Sequence, residues 1–377
     1  AKLKRELDVA AEPETAALIE DIKRGSVQRA EGLLLPVSRL GQDPIVVRQA
    51  KPSLTVLSVI RACHDDDLAW LSKGIGEDVI AALVRSKSFS VIESNCTCRD
   101  AEGSTRIGAE LGVDYVLVYG LRKANRQTHL TVRLIDAPTG IHIWARRYTE
   151  ETSRDPGGLD PFIANIVASV EPHIFAAEAR RQQQKPFHAL DAADCVLMAL
   201  SITRIRTRTN YALAEKMLAK ALEIDPYCAR AHSIAAWYAA IFVLWGWKSR
   251  QDTLRFALEA ARKAVVLDEQ DPWAHFALGW ALTQNRSQEQ GIDEYRKAIS
   301  INPYFPHPHY CLGTALAHVG QTEKALAAVD EGERLGAPEI FAGHGNSARA
   351  GIYFCAEKYD NATKAARRSV AQSPGLV

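Results

Sequence analysis

Residues 271–302 read DPWAHFALGWALTQNRSQEQGIDEYRKAISIN, and no other stretch limits the fold of this chain so tightly. Phe276, Leu278, Gly279 and Leu282 recur at helical spacing. A short polar turn follows, and Gly291, Tyr295 and Ala298 then mark the packed face of a second helix that stops before Pro303. Small residues stand where two helices must approach closely, and a large ring fills the gap between them. The same pattern returns in register. Gly279 and Gly313, Tyr295 and Val329, and Ala298 and Gly332 are each 34 residues apart. A lone helix pair cannot bury its own apolar face, so such units stack, and stacked units curve into a solenoid with a concave surface.

The 377 residues suffice for two or three domains. A hydrophobic fraction of 47% and a charged fraction of 24% are those of ordinary globular chains. A net charge of +1 excludes a general electrostatic attraction to nucleic acid or to an acidic membrane. The longest apolar candidate, residues 234–247, is shorter than the roughly 20 residues of a membrane span, and no secretory signal pattern is present. The seven cysteines are odd in number and scattered, so a reducing compartment, the cytoplasm, is expected. The chain opens at Ala1 in what reads as a helix already under way, so a longer polypeptide is expected.

Residues 1–25 read as the end of a helical repeat, with Pro13 in a first helical turn, a stripe of Leu18, Ile19 and Ile22, and Gly25 as the stop. Residues 26–52 read as a linker. In residues 53–184 the pattern predicts strands at 53–60, 89–93, 115–121, 129–135 and 141–148, and helices at 67–85, 105–111 and 160–184. The order β-α-β-α-β-β-β-α implies a small mixed sheet covered by helices. The QQQKP run at 182–186 reads as a hinge between two independently folding halves, with Arg180 and Arg181 open to protease.

Three resemblances follow from these words. Arg5-Glu6-Leu7-Asp8-Val9 and Pro13-Glu14-Thr15 resemble the closing repeat of the bacterial transcriptional activation domain, which follows a winged helix in SARP-type regulators. GIGEDVIAAL (74–83), ELGVDYVLVYGLRK (110–123) and LTVRLIDAPTGIHIWARRY (130–148) look like the TolB-like amino-terminal domain, although Ser58-Val59 stands where that family usually has Pro-Phe. The 34-residue period resembles the tetratricopeptide (TPR) repeat, and units at 191–224, 229–269 and 343–374 flank the central two. Together they imply an α/β plus all-α chain: a TolB-like domain at 53–184 followed by a TPR α-solenoid at 187–377. The implied role is the non-enzymatic interaction region of a bacterial transcriptional regulator, which meets DNA only through an upstream domain. The alternative is the accessory tail of a class III adenylate or guanylate cyclase.

First-helix residues between the packing positions should line the concave face: Arg230, Trp237, Trp273, Phe276, Trp280, His307 and Tyr310. Aromatic rings and arginine are common anchors for a protein or peptide partner. The plainer reading is that several of them pack inside. A homo-oligomer is compatible with the sequence. Other constellations carry little chemistry. Cys96-x-Cys98 has no second ligand pair, and His307, His309 and Cys311 sit two apart on a helix and point to different sides. His64-Asp65-Asp66-Asp67 reads as helix capping, and Gly74-x-Gly76 lacks the strand and third glycine of a nucleotide loop. No kinase, cyclase, P-loop or hydrolase motif occurs, so neither a catalytic residue nor a metal or cofactor is expected.

Overall fold

The computed structural model describes residues 51–59, 66–94, 101–124, 127–151, 160–182, 189–336 and 341–372. The expectations for residues 1–25, for most of the linker and for the Cys96 and Cys98 pair fall outside these residues. The described residues belong to one compact unit, Gln49–Val377.

Its first part runs β1 (Ser53–Ser58), α1 (Asp66–Arg85), β2 (Ser90–Val91), α2 (Ala101–Leu111), β3 (Tyr115–Ala124), β4 (Gln127–Asp136), β5 (His142–Glu151) and α3 (Asp160–Gln182). This is the order expected. The sheet order is β2-β1-β3-β4-β5. β1 pairs in parallel with β2 and β3, and β3, β4 and β5 form an antiparallel meander. Side chains alternate along each strand, so the sheet has two cores. On one face Leu54, Leu117, Leu130, Val132 and Leu134 pack under Ile75, Val79 and Leu83 of α1 and Ile163, Ile166 and Val170 of α3. On the other, Leu57, Val116, Val118 and Ile135 meet Ile107 of α2. The β4–β5 turn is held by Thr139, whose N–H and Oγ1 donate to Asp136 Oδ1 at 3.1 and 2.8 Å.

Among the described residues, ten helices follow in five antiparallel pairs: α4 (Ala192–Ile202) with α5 (Arg208–Ile224), α6 (Ala229–Leu244) with α7 (Arg250–Leu267), α8 (Pro272–Gln284) with α9 (Gln288–Ile301), α10 (Pro306–His318) with α11 (Thr322–Leu335), and α12 (His344–Cys355) with α13 (Tyr359–Gln372). Four of the five within-pair turns share one device. A left-handed residue (Gly246, Arg286, Gly320 or Glu357) lets the next N–H reach back to the first helix, as Ser287 N does to Leu282 O at 2.9 Å. Three of the turns between units share another. Asp225, Asp268 and Asn302 each accept a bond from the backbone N–H two residues on, at 2.9 to 3.1 Å. Within a pair, the period-34 glycines are where backbones touch.

Of the hinge expected at 182–186, residues 183–186 lie outside the described residues, and the two halves it was expected to join share α3. α3 is apolar on several sides and serves both. Ile163 and Val170 belong to the sheet core, Ala168 belongs to the repeat core, and Leu197 of α4 is buried with the sheet residues. The carboxyl end of α3 is anchored as well. Arg181 pairs with Asp136 at 2.5 Å and with Glu178 at 2.7 Å, and it lies 4.8 Å over the Tyr115 ring. A bond that must open both contacts is a poor first protease site.

The glycine contacts set up a direct comparison. A Cβ on Gly313 would lie 2.8 Å from the Ala325 carbonyl oxygen and 2.7 Å from Val329 Cγ2, whereas one on Gly351 would meet nothing within 4 Å. Gly313→Ala is expected to cost about 1–3 kcal/mol by overpacking. Gly351→Ala, in the open interior of a helix, is expected to stabilise by up to about 1 kcal/mol. Urea denaturation of the two variants checks both signs.

Candidate ligand cavity on the concave face

The inner face of the solenoid does not stand open. α3 crosses it, and a half-open cavity of about 1040 Å³ lies between the two. Val167, Glu171 and Phe175 form the α3 wall, and Trp237, Trp273, Trp280, His307 and Tyr310 come from the first helices of units two to four. Five of the seven expected residues are thus brought together. Trp273 and His307 are one period of 34 apart, as are Phe276 and Tyr310, so helix stacking places each pair side by side. Trp237 packs 5.5 Å from Trp273 and 5.6 Å from His307, and Trp280 lies 6.0 Å from Phe276.

Two expectations need correcting. Phe276 is fully buried and does not line the cavity, because its ring packs among Trp237, Tyr295 and Phe305. Arg230 is not free for a partner. Its Nε and Nη2 donate to Asp271 at 3.0 Å each, and Nη1 donates to Ser88 Oγ at 3.2 Å. Ser88 in turn donates to Glu171 Oε1 at 2.6 Å. Asp271 also caps α8 through the Trp273 N–H at 3.0 Å. Beside this network Lys87 pairs with Asp268 at 2.7 Å. The arginine therefore fastens the α/β domain to the second and third units. Burial pushes the Glu171 carboxyl above its usual range, against the pull of Arg230 and the Ser88 bond. Trp273, only 5% exposed, is mostly core, with one edge on the cavity.

The sequence reading missed Arg206, His344 and Glu171. His344 had a signal. It follows His307 by one repeat, lengthened by three residues at the insertion near 336–338. Arg206 had none, since its contact depends on the curvature of the whole array. Its Nη2 donates to His344 Nε2 at 2.8 Å, joining the first unit to the fifth. An arginine only donates, so that nitrogen of His344 accepts and the imidazole is neutral. Burial and then the Arg206 charge hold His344 down to about 4. Burial, His344 and Arg206 hold His307 down to about 3. Burial also lowers Arg206 itself. Among the described residues, no group of three or more His, Cys, Asp or Glu could hold a metal ion, and no helix is long and apolar enough to cross a membrane.

The family profile described as tetratricopeptide repeat matches residues 294–327, within the third and fourth units. That match covers one 34-residue repeat of the helical half. Among curated proteins, the chain is 28% identical over 256 residues to "Putative adenylate cyclase 3" of Rhizobium meliloti (strain 1021), covering 67% of this chain and 43% of that protein. The chain thus spans less than half of that relative's length. Among solved structures, a thermophilic TPR protein of Thermus thermophilus aligns at a TM-score of 0.38 and 18% identity over 48% of this chain and 92% of its own. YrrB, "a TPR protein with an unusual peptide-binding site", aligns at a TM-score of 0.30 and 16% identity over 53% of this chain and 92% of its own.

Burial separates the tryptophans. Trp273→Ala is expected to cost about 3–5 kcal/mol, as truncation of a core ring does. Trp280→Ala, at the partly exposed cavity wall, is expected to cost clearly less in the same denaturation experiment. The histidines give a pH signature. The unfolded imidazoles titrate near 6.5 and the folded ones only near 3 and 4, so between these values the unfolded chain binds more protons. Stability from these groups is full above pH 6.5 and falls as pH drops towards 4. His307→Gln removes one of the two, and its stability should fall less steeply over pH 7 to 4 than that of the native chain.

Proposed function

We propose that this chain is the non-catalytic interaction region of a bacterial regulatory protein, and that a partner peptide docks in the cavity between the repeats and α3. The observation that carries the reading is the pairing of a tetratricopeptide array with a cavity that shares its α3 wall with the sheet domain. Glu171 faces the cavity and holds Ser88, which also binds Arg230, so an occupant touching that wall bears directly on the junction between the domains. Arg230 lies outside the cavity and serves as the fastener rather than as an anchor. Trp237, Trp280, His307 and Tyr310 are the proposed contact residues, with the exposed edge of Trp273.

The resemblance of residues 1–25 and 53–184 to activation and TolB-like domains supports a SARP-type transcriptional regulator as the parent, in the cytoplasm. A second reading, the accessory tail of a class III cyclase, is supported by the relative named as an adenylate cyclase. Both leave this region without catalytic residues. The coding sequence upstream of residue 1 decides between them. A winged helix with a basic recognition helix supports the first, and a cyclase domain with metal-binding aspartates supports the second.

Two assays test the common claim. With a charge of +1 and no basic recognition helix, residues 1–377 should give no sequence-specific, salt-sensitive complex with promoter DNA in a gel shift. The same protein should release no cyclic nucleotide from ATP or GTP. A specific DNA complex or turnover in either assay overturns the reading.

A further inference from the structure

We propose that the occupant of the cavity is an acidic segment of a partner protein, with one side-chain carboxylate seated on Arg206. This inference rests on the peptide-site reading above and names the chemistry of its ligand.

Arg206 is a guanidinium on the cavity wall that meets the accepting nitrogen of His344. Among the described residues, no carboxylate pairs with it. The arginines at the domain junction are matched by contrast: Arg181 has Asp136 and Glu178, and Arg230 has Asp271. A partly desolvated cation without a counter-charge is costly, and a ligand carboxylate that accepts two parallel N–H bonds removes that cost.

The neighbouring walls point the same way. The indole Nε1 atoms of Trp237 and Trp280 are buried and have no hydrogen-bond partner. The rings of both residues line the cavity, while their N–H groups point away from its open space. The aromatic faces beside Arg206 suit apolar neighbours of the acid in the same segment.

The charge of the lining is lopsided. Arg204, Arg206, Arg250 and Arg286 line the cavity, and among the described residues Glu171 is the one acid against them. Glu171 is already engaged by Ser88, which Arg230 also contacts. The chain as a whole is nearly neutral, so this concentration of positive charge is local. It favours encounter with an acidic partner. The volume of about 1040 Å³ is at the upper end of sites for single small molecules, and it accommodates a short run of residues.

The test is a random-peptide phage library panned against the full chain, followed by synthesis of the enriched peptides and fluorescence anisotropy. Enrichment should favour Asp or Glu next to aromatic or aliphatic residues. Exchange of that acid for its amide, or Arg206→Gln in the protein, should each weaken binding tenfold or more, while Arg206→Lys retains part of it. Affinity should fall with added salt. Melting curves check that Arg206→Gln is folded, since the variant loses the bond to His344. If the enriched peptides lack acids but lose binding in Trp280→Ala, the acidic ligand is wrong and the peptide cavity stands. If binding survives both Arg206→Gln and Trp280→Ala, the cavity is not the docking site and both readings fall. Absence of enrichment, alone or with a rise in Tm on adding benzoate, overturns the peptide and, in the benzoate case, assigns the site to a small organic anion.

Discussion

The pair formed by Arg230 and Asp271 is the fastening on which the rest of this structure depends. Its two parallel bonds are sunk among α1, α3, α6 and α8, and each partner has further work. Asp271 starts α8, and Arg230 reaches the 86–88 loop that follows α1. Buried pairs of this kind add little net stability against an apolar alternative, but loss of one member strands the other's charge. The pair is therefore best understood as a device for specificity. It sets one way for the sheet domain to sit on the array, and Lys87 with Asp268 repeats the same choice a turn away.

A helical solenoid has ends that must be covered, and here the first end is covered by the sheet domain itself. α3 lies on α4 with apolar residues on both sides, and Leu197 passes into the sheet core. The cover also reaches the fourth unit, where Asn165 donates to the Arg334 carbonyl at 3.2 Å. The result is a concave surface with a lid of its own chain. The concave face is thereby a cavity with a domain junction in its wall, rather than a free groove.

Along the inner wall of that cavity, burial sets the chemistry. Burial keeps His307 and His344 neutral at any ordinary pH, and it leaves the positive charge to arginine. Charges that would be weak in water gain strength when walled by Trp237, Trp273 and Phe341. The same burial makes the unpartnered indole N–H groups conspicuous, because a solvated one would need no explanation.

Much of this was legible in residue order. Period 2 in Leu130, Val132 and Leu134 gave the strand and its inward face, and period 34 in Gly279, Gly313, Tyr295 and Val329 gave the paired helices. These signals are local or regularly repeated, so each residue's role follows from near neighbours in the chain. The aromatic positions on the first helices were legible for the same reason. What the sequence could not show is whatever depends on the closing curve of the array and on the seat of the sheet domain. Arg230 looked like a free anchor until the 86–88 loop and Asp271 were brought to it, and Phe276 looked like surface until Phe305 covered it. Arg206 and His344 are 138 residues apart and share no motif. A small rotation per unit, summed over five units, brings them to 2.8 Å, and that sum is a property of the packed array and of no single segment.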